Sequence, residues 1–226
     1  MANILLLGPQ GAGKGTQGKL IAAEYGVPHV ATGDILRAAI AGGTELGVKV
    51  KPIYDAGQLV PDELMIELIR ERLGEEDARE GFVLDGFPRT MRQAEALGEM
   101  LREIGRELDV VFELQLPDAI GRERMLKRAA EEGRADDTPE AIDKRLRIYH
   151  QETEPLVEYY RSRGGLVGIH ADRPIPEVFA EIQRALEQVA VRLSSARRRP
   201  RSSAWRAPAR SSPRRSRSSA STRGRA

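Results

Sequence analysis

The segment from Asn3 to Thr16 constrains the fold of this chain more than any other. A continuous apolar run, NILLL, passes directly into the glycine-rich stretch GPQGAGKGT. An apolar run of this length is typical of a strand buried on both faces, and we expect a helix to begin near Lys14. A strand, a tight glycine turn and a helix N-terminus in this order aim backbone N–H groups and the positive end of a helix dipole at one point. The segment therefore predicts a phosphate-binding loop.

Two side chains of this loop fit the chemistry of a nucleotide site. Lys14 supplies a full positive charge that can bridge terminal phosphates, and Thr16 supplies a hydroxyl that can hold water around Mg²⁺. The loop departs from the pattern G-x(4)-G-K-[ST] at one position, because Gly15 stands where serine or threonine is usual. Glycines can also mark a plain surface turn, but the order of strand, turn and helix favours the nucleotide site.

Apolar runs elsewhere predict further strands, at residues 81–85, 110–116 and 166–169. Stretches with helical periodicity separate these runs, and strands that alternate with helices indicate a parallel sheet. The helix-start signals lie at residues 32–34, 61–62, 90 and 138–139, and the glycines at 42, 43 and 47 predict a helix break. The expected fold class is α/β, a P-loop three-layer α/β/α domain with a central parallel sheet and inserted helices.

The charge of the chain is divided unevenly. The whole chain has 36 basic and 34 acidic residues, but residues 194–226 hold eleven of the arginines and no acid, which leaves 25 basic against 34 acidic in residues 1–193. Trp205 is the only large apolar side chain of the basic segment, so we expect residues 194–226 to be a disordered Arg/Ser-rich tail. Such a tail is either a passive solvated extension or a binder of nucleic-acid phosphates.

Two arginines at predicted strand ends suggest a second anion site. Arg37 lies one helical turn beyond Thr32 and Asp34, which we take as a helix cap, and Arg89 follows the strand that ends at Asp85. The carboxyl ends of parallel strands share one crevice, where planar guanidinium groups can hold a phosphate in bidentate fashion. Either arginine alone is more often a surface charge, but together with the phosphate loop they indicate transfer between two nucleotides.

A third group of cations follows Pro117. Arg124 and Arg128 are four residues apart and share a helix face, and Arg134 and Arg145 follow around a short polar loop. Exposed helices often carry such rows for solubility. The neighbouring Asp136 and Asp137 are placed to orient these guanidinium groups.

The ordered motifs GPQGAGKGT, TGDILR, GQLVPDE, LDGFPRT, GRADD and KRLRIYHQETEPL resemble those of adenylate kinases, over nearly all of residues 1–193. The resemblance implies an adenylate kinase domain over 1–193, with a nucleoside-monophosphate-binding segment at 31–60 and a short lid at 128–138. Thr32 and Thr90 look like the branch that uses AMP, since pyrimidine-nucleotide kinases of this fold typically carry asparagine at the position of Thr90.

The resemblance also assigns site residues. It implies catalytic roles for Lys14, Arg89, Arg128, Arg134 and Arg145, and a supporting role for Arg124. The implied ATP site is Gly11, Ala12, Gly13, Lys14, Gly15, Thr16, Arg128 and, through main chain near an atypical HADRP segment, Arg173. The implied AMP site is Thr32, Arg37, Gln58, Leu59, Val60, Gly86, Phe87, Pro88, Arg89, Gln93, Arg134 and Arg145. Gln93 is the residue whose amide would pair with adenine, the alternative being an exposed helix glutamine.

The implied reaction is Mg-ATP + AMP ⇌ 2 ADP, with no covalent enzyme intermediate. Mg²⁺ would be carried by ATP and held mainly by phosphate and water, with Asp85 holding one of the waters. The chain has no cysteine, which agrees with a short lid without zinc. ATP, AMP and ADP would be its partners. We expect a cytoplasmic monomer with no membrane span, since no run approaches ~20 apolar residues.

Three alternatives stay open from the sequence. The chain could phosphorylate another nucleoside monophosphate, or the basic tail could carry a nucleic-acid-binding role. A GTPase switch is the weakest alternative, because the sequence lacks a serine or threonine directly after Lys14 and an Asn-Lys-x-Asp segment.

Overall fold

A parallel sheet forms the centre of the computed structural model, which describes residues 2–133 and 137–196, with side chains up to Val191. Within these residues the sheet has five strands in the order β2-β3-β1-β4-β5. The strands are β1 Asn3–Leu7, β2 His29–Ala31, β3 Phe82–Asp85, β4 Val110–Gln115 and β5 Leu166–His170. The helices are α1 Lys14–Tyr25, α2 Thr32–Ala41, α3 Glu45–Asp55, α4 Asp62–Gly74, α5 Met91–Glu103, α6 Asp118–Glu132, α7 Pro139–Ile148, α8 Pro155–Arg161 and α9 Ile175–Ala196. The predicted α/β class with a parallel sheet is confirmed.

The continuous apolar runs arise because both faces of the sheet are covered. In β1, Leu5 and Leu7 face a core formed with α4, α5 and α8, and Ile4 and Leu6 face a second core formed with α1 and α9. Successive side chains of a strand point to opposite faces, so a strand between two helical layers is apolar on both faces, as Ile4 to Leu7 are; the polar Asn3 is hydrogen-bonded to the Glu107 carbonyl oxygen. All five residues of β1 are buried.

The sequence signal missed one strand. β2 has only three residues, His29–Ala31, and begins with a half-buried histidine. A run this short shows no periodicity, and it forms because its backbone pairs with β3 at the sheet edge.

The strand register brings several candidate residues to the same edge of the sheet. Asp85, the last residue of β3, is level with Leu6 of β1 on one side and with Ala31 of β2 on the other. The glycine loop follows β1 directly, and α2 follows β2 directly. The crevice outside these carboxyl ends, where the connections from the central strand diverge, is the usual ligand position in open parallel sheets.

One predicted helix start differs in detail. Thr32 is not an N-cap, because α2 already begins at Thr32 and the cap position is Ala31 without a side-chain bond. The Thr32 side chain is instead fully buried and donates a hydrogen bond to the Asp85 carbonyl oxygen at 3.3 Å. Thr90 and Thr138, in contrast, cap α5 and α7 as predicted, each accepting from a backbone N–H three residues on.

The connection between α2 and α3 is a helix break, as the glycine pattern predicts. α2 ends at Ala41 and α3 begins at Glu45. Gly47 lies so close to α2 that an added Cβ would fall 2.0 Å from the Ala39 carbonyl oxygen. The glycine therefore lets two helix backbones touch.

Two predicted segments fall partly outside the described residues. Arg134, Asp136 and most of the loop between α6 and α7 lie outside them, as does the chain beyond Ala196 with its predicted basic tail. α9 extends three residues past the predicted boundary at 193. In the part of the chain that is described, no helix combines the length and apolar character that a membrane crossing requires.

Candidate active site

The glycine loop is held by backbone-to-backbone contact. Gly8 and Gly11 both have positive φ, +139° and +81°, and an added Cβ at either would lie 2.5 Å from a backbone oxygen, of Leu114 or of Gly121. The loop therefore packs directly on β4 and α6, where only glycine fits. Gly13, also with positive φ, forms the N-cap of α1. α1 carries no acidic residue in its first turn, so the positive end of its dipole faces the cleft uncompensated.

Lys14 is folded back onto this loop. Its Nζ donates to the carbonyl oxygens of Gly8 and Pro9, both at 2.7 Å. Burial lowers the pKa of the Lys14 ammonium group to about 8; the charge of Asp85 opposes this shift, and the charges of Arg89 and Arg128 add to it. Because this ammonium group is desolvated and lies near other cations, a bound anion would stabilise its charged form.

Asp85 lies between the glycine loop and the second basic region. Its Oδ2 atom is 3.7 Å from His29 Nε2 and would be 3.7 Å from a Cβ added at Gly15. A Cβ atom at position 15 would therefore make an ordinary van der Waals contact with this carboxylate, without a steric clash. The carboxylate lines the cleft that the loop also lines.

Arg37 and Arg89 form the second basic region. The Arg89 Nε atom donates to the Gly86 carbonyl oxygen at 2.8 Å, and Arg37 pairs with Asp34 and donates to the Tyr54 hydroxyl at 2.6 Å. Burial lowers the pKa of the Arg89 guanidinium group; Asp85 opposes this shift and Arg145 adds to it. Both arginines line the same cleft.

Gln93 is buried on α5, so the alternative of an exposed helix glutamine is wrong. It is 1% exposed, its Nε2 atom donates to Asp62 at 2.7 Å, and its Oε1 atom accepts from the Arg89 backbone N–H at 2.8 Å. Thr90 completes the group, because its hydroxyl donates to the Asp62 carboxylate at 3.1 Å. Both the Nε2 and the Oε1 atom of the Gln93 amide are therefore hydrogen-bonded to the protein.

The lid side is organised by one carboxylate. The side chain of Asp137 has no exposed surface and accepts from Arg128 Nε and Nη2, at 2.9 and 2.6 Å, and from Arg145 Nη1 at 2.7 Å. The Arg145 guanidinium group also lies over the ring of Tyr54, 5.6 Å from its centroid. The predicted orienting role of Asp137 matches this geometry, whereas its neighbour Asp136 lies outside the described residues.

Arg124 contacts the backbone of the glycine loop, and Arg173 lies on the turn after β5. Arg124 Nη1 donates to the Ala171 carbonyl oxygen at 2.8 Å and approaches the Gly11 carbonyl oxygen at 3.5 Å. This links α6 to the loop on one side and to the turn after β5 on the other. The Arg173 side chain pairs with Glu181 of α9.

One cleft of about 1040 Å³ collects most of the predicted site. Its lining includes all the predicted residues of the glycine loop together with Arg37, Gln58, Leu59, Gly86, Pro88, Arg89, Arg128, Arg145 and Arg173. A second, small cavity beside it is lined by Thr32, Val60 and Gln93, with Gln58, Leu59, Gly86 and Arg89 shared between the two. Phe87 lines neither cavity, because its ring packs into the core at 1% exposure.

The sequence analysis missed three residues of this region. Tyr54 lines both cavities and contacts Arg37 and Arg145, and Thr153 donates to the Arg89 carbonyl oxygen at 2.9 Å. Asp62 is predicted only as a helix-start residue. Asp62 and Thr153 lie within the motifs GQLVPDE and KRLRIYHQETEPL, but their contacts at the site, like those of Tyr54, arise from tertiary packing.

The residues at the cleft fit a hard divalent cation bound with a nucleotide. The Asp85 carboxylate and Thr16 both line the cleft beside Lys14 and offer oxygen atoms, which Mg²⁺ prefers. Among residues 2–133 and 137–196, no three or more His, Cys, Asp or Glu side chains come together as a metal-holding group.

The fold and the cleft define a class of protein. A P-loop after the central strand shares one cleft with Arg89, which follows the neighbouring strand β3, with Arg37 of α2, and with arginines of α6 and α7. The molecule therefore has the fold of a P-loop nucleotide-binding protein, with two adjoining basic regions in one cleft, an arrangement typical of a phosphotransferase.

Comparison with known proteins identifies the family. Residues 6–165 match the family model described as adenylate kinase. The adenylate kinases of Cyanothece sp., Thermobifida fusca and Clavibacter michiganensis are 47%, 48% and 49% identical to this chain; the alignments cover 84%, 81% and 86% of this chain and 97%, 97% and 98% of those proteins. The chain belongs to the adenylate kinase family.

Proposed function

We propose that this protein is an ATP:AMP phosphotransferase, which transfers the γ-phosphoryl group of Mg-ATP reversibly to AMP and yields two ADP. Family membership supports the reaction. The main structural support for this proposal is that Lys14, Arg89 and Arg145 line the same cleft. These cations come from distant stretches of chain, and they can neutralise two phosphate chains placed end to end.

In this proposal the ATP phosphates lie in the glycine loop. The backbone N–H groups of Gly11–Thr16 surround the β-phosphate, and Lys14 exchanges its bonds to the loop carbonyls for bonds to phosphate oxygens. Arg128 contacts ATP from the lid side, and main chain near Arg173 contacts its adenine. Arg134, outside the described residues, would extend the lid contacts to both nucleotides.

AMP takes the other half of the cleft. Arg37 and Arg89 hold its phosphate, and its base enters the small cavity at Thr32, where Gln93 faces it. The remaining AMP-site residues are proposed to be Gln58, Leu59, Val60, Gly86, Phe87, Pro88, Arg134 and Arg145. Phe87 would act through its backbone, since its side chain is in the core.

Catalysis in this site consists of positioning and charge compensation. An AMP phosphate oxygen attacks the γ-phosphorus in line while the bond from that phosphorus to the β-phosphate oxygen breaks. Both partners are polyanions, so the guanidinium groups of Arg89, Arg128 and Arg145 hold them in line and compensate the charge of the transferring group. No residue of the protein has to accept a proton from the attacking AMP phosphate oxygen, because this oxygen is already ionised.

Mg²⁺ would be held by ATP oxygens and by waters, which Thr16 and Asp85 would hold in place, and it would neutralise part of the phosphate charge. We further propose that no zinc is bound.

Residues 31–60 and the lid at 128–138 are proposed to close over the substrates and to exclude water from the reaction. We also propose that the protein is a cytoplasmic monomer.

A monophosphate panel tests the function. Purified full-length protein with Mg-ATP is given AMP, GMP, CMP or UMP, and formation of diphosphate is followed. AMP should give the highest kcat/KM. A higher value for another monophosphate would assign the chain to that acceptor, and no diphosphate from any of them would refute the proposal.

The site assignment is tested by removing one guanidinium group. Arg89→Ala should lower turnover at saturating ATP and AMP by about 10³-fold or more, as for other arginines that compensate charge in phosphoryl transfer. Arg92→Ala is the matched control, because Arg92 is exposed and pairs only on the surface with Glu63, at 2.6 Å. Wild-type turnover of Arg89→Ala would show that the site lies elsewhere.

A further inference from the structure

The amide of Gln93 lines the small cavity and is hydrogen-bonded through both of its polar atoms. Its Nε2 atom donates to Asp62 and its Oε1 atom accepts from the Arg89 N–H, at 2.7 and 2.8 Å. A carboxylate can only accept and a backbone N–H can only donate, so these two partners permit one of the two orientations of the amide. Rotation by 180° would place a donor against a donor and an acceptor against an acceptor.

Half of the hydrogen-bonding capacity of the amide is left for a ligand. An amide group has two N–H donors and two acceptor positions. One of each is taken by the protein, so one N–H and one acceptor position of Gln93 are left at the cavity that it lines with Thr32, Val60 and Met65.

This donor and acceptor match one purine edge. Adenine offers an acceptor at N1 and an amino donor at N6, which complement the Gln93 N–H and Oε1. Hypoxanthine has nearly the same shape but offers a donor at N1 and an acceptor at O6. An amide free to rotate would serve both bases, whereas a fixed amide serves adenine and leaves its groups unpaired against hypoxanthine.

We propose that Asp62 is a positioning residue that fixes the amide of Gln93 and thereby makes the monophosphate site select adenine over 6-oxopurines. The inference rests on the proposed function, in which the base of AMP enters this cavity. Thr90 supports the same arrangement, because its hydroxyl donates to Asp62 and its oxygen accepts from the Gln93 backbone N–H at 3.2 Å. Asp62 itself lines neither of the two cavities, so it acts through Gln93.

The test compares AMP with inosine monophosphate as acceptors for Mg-ATP. In Asp62→Ala the ratio of kcat/KM for AMP to that for inosine monophosphate should fall about tenfold, which corresponds to ~1.4 kcal/mol, while the KM for ATP stays unchanged. Asp62→Asn should keep the ratio within about twofold, because the asparagine oxygen can still accept from Gln93.

Glu63→Ala is the matched control. Glu63 lies in the same first turn of α4 and is exposed, so its removal takes the same charge from the helix N-terminus without touching Gln93. Its selectivity ratio should stay at the wild-type value. Should Asp62→Ala fail to fold, Asp62→Ser replaces it, because serine is well tolerated near a helix start and its hydroxyl ends one bond short of the carboxylate oxygens.

The outcomes separate the two proposals. Wild-type activity on AMP with an unchanged ratio in Asp62→Ala or Asp62→Ser overturns the positioning role and leaves the proposed function intact. An equal loss for both acceptors also overturns it, since a merely structural role would lower both alike. If the wild-type protein forms no ADP from AMP, the proposed function itself fails.

Discussion

The two sides of the cleft hold their cations by different means. On the loop side, residues 8–16, glycine backbones rest against the backbones of β4 and α6, and Lys14 is bonded to carbonyl oxygens of its own loop. On the lid side, Arg128 and Arg145 converge on the single carboxylate of Asp137. Backbone contact permits one arrangement, whereas an ion pair can exchange one anion for another. In the proposed function, this difference corresponds to a rigid site for the ATP phosphates on the loop side and to arginines that exchange Asp137 for phosphate on the lid side.

The sharpest test of the rigid side is a pair of glycine substitutions. Gly11 and Gly13 have nearly the same positive φ, +81° and +82°, but an added Cβ meets the Gly121 backbone at Gly11 and open space at Gly13. Gly11→Ala should lower the free energy of unfolding by about 3 kcal/mol, from the left-handed conformation and overpacking together. Gly13→Ala should lower it by only about 1 to 2 kcal/mol. Denaturant unfolding measures both, and equal losses would contradict a loop fixed by backbone contact.

The lid side is tested by removing its shared carboxylate. Asp137→Asn should lower the free energy of unfolding by about 2 kcal/mol, because two guanidinium groups lose a charged hydrogen-bond partner. Asp143→Asn is the control, since Asp143 pairs with Arg122 in a half-exposed bridge that should contribute less than about 1 kcal/mol. If the two variants lose the same stability, Asp137 does not organise the lid.

The smallest predicted effect is a pH dependence that distinguishes Lys14 on the loop side from the guanidinium groups of the cleft. The pKa of Lys14 is about 8 in the protein without ligand, so its ammonium group loses its charge as the pH rises through this value. Bound phosphate favours the charged form, and the KM for ATP should therefore be constant below pH 8 and rise about tenfold by pH 9.

The KM for AMP should change little over the same range, because its phosphate is held by guanidinium groups, which stay charged. Lys14→Arg should remove the pH dependence of the KM for ATP, whatever its effect on turnover. Initial rates at pH 7, 8 and 9 in one buffer series measure all three quantities. A KM for ATP that is flat with pH in the wild-type protein would place Lys14 away from the phosphates.

Local patterns in the sequence determined the sheet class, most of the strands and the phosphate loop. The apolar run of β1 and the glycines after it act over a few residues, and both faces of the strand had to be covered for such a run to be stable. Capping threonines gave the starts of α5 and α7 for the same reason, since a cap bonds only three residues away.

Only the tertiary structure decided how distant residues meet. The three residues of β2 are a strand because β3 lies beside them, and the same pairing sets Thr32 next to Asp85 rather than at a helix cap. Asp62 reaches Gln93 across 31 positions, and Tyr54 reaches both Arg37 and Arg145. Such contacts follow no spacing along the chain, because packing between helices and sheet, not local backbone preference, brings these side chains together.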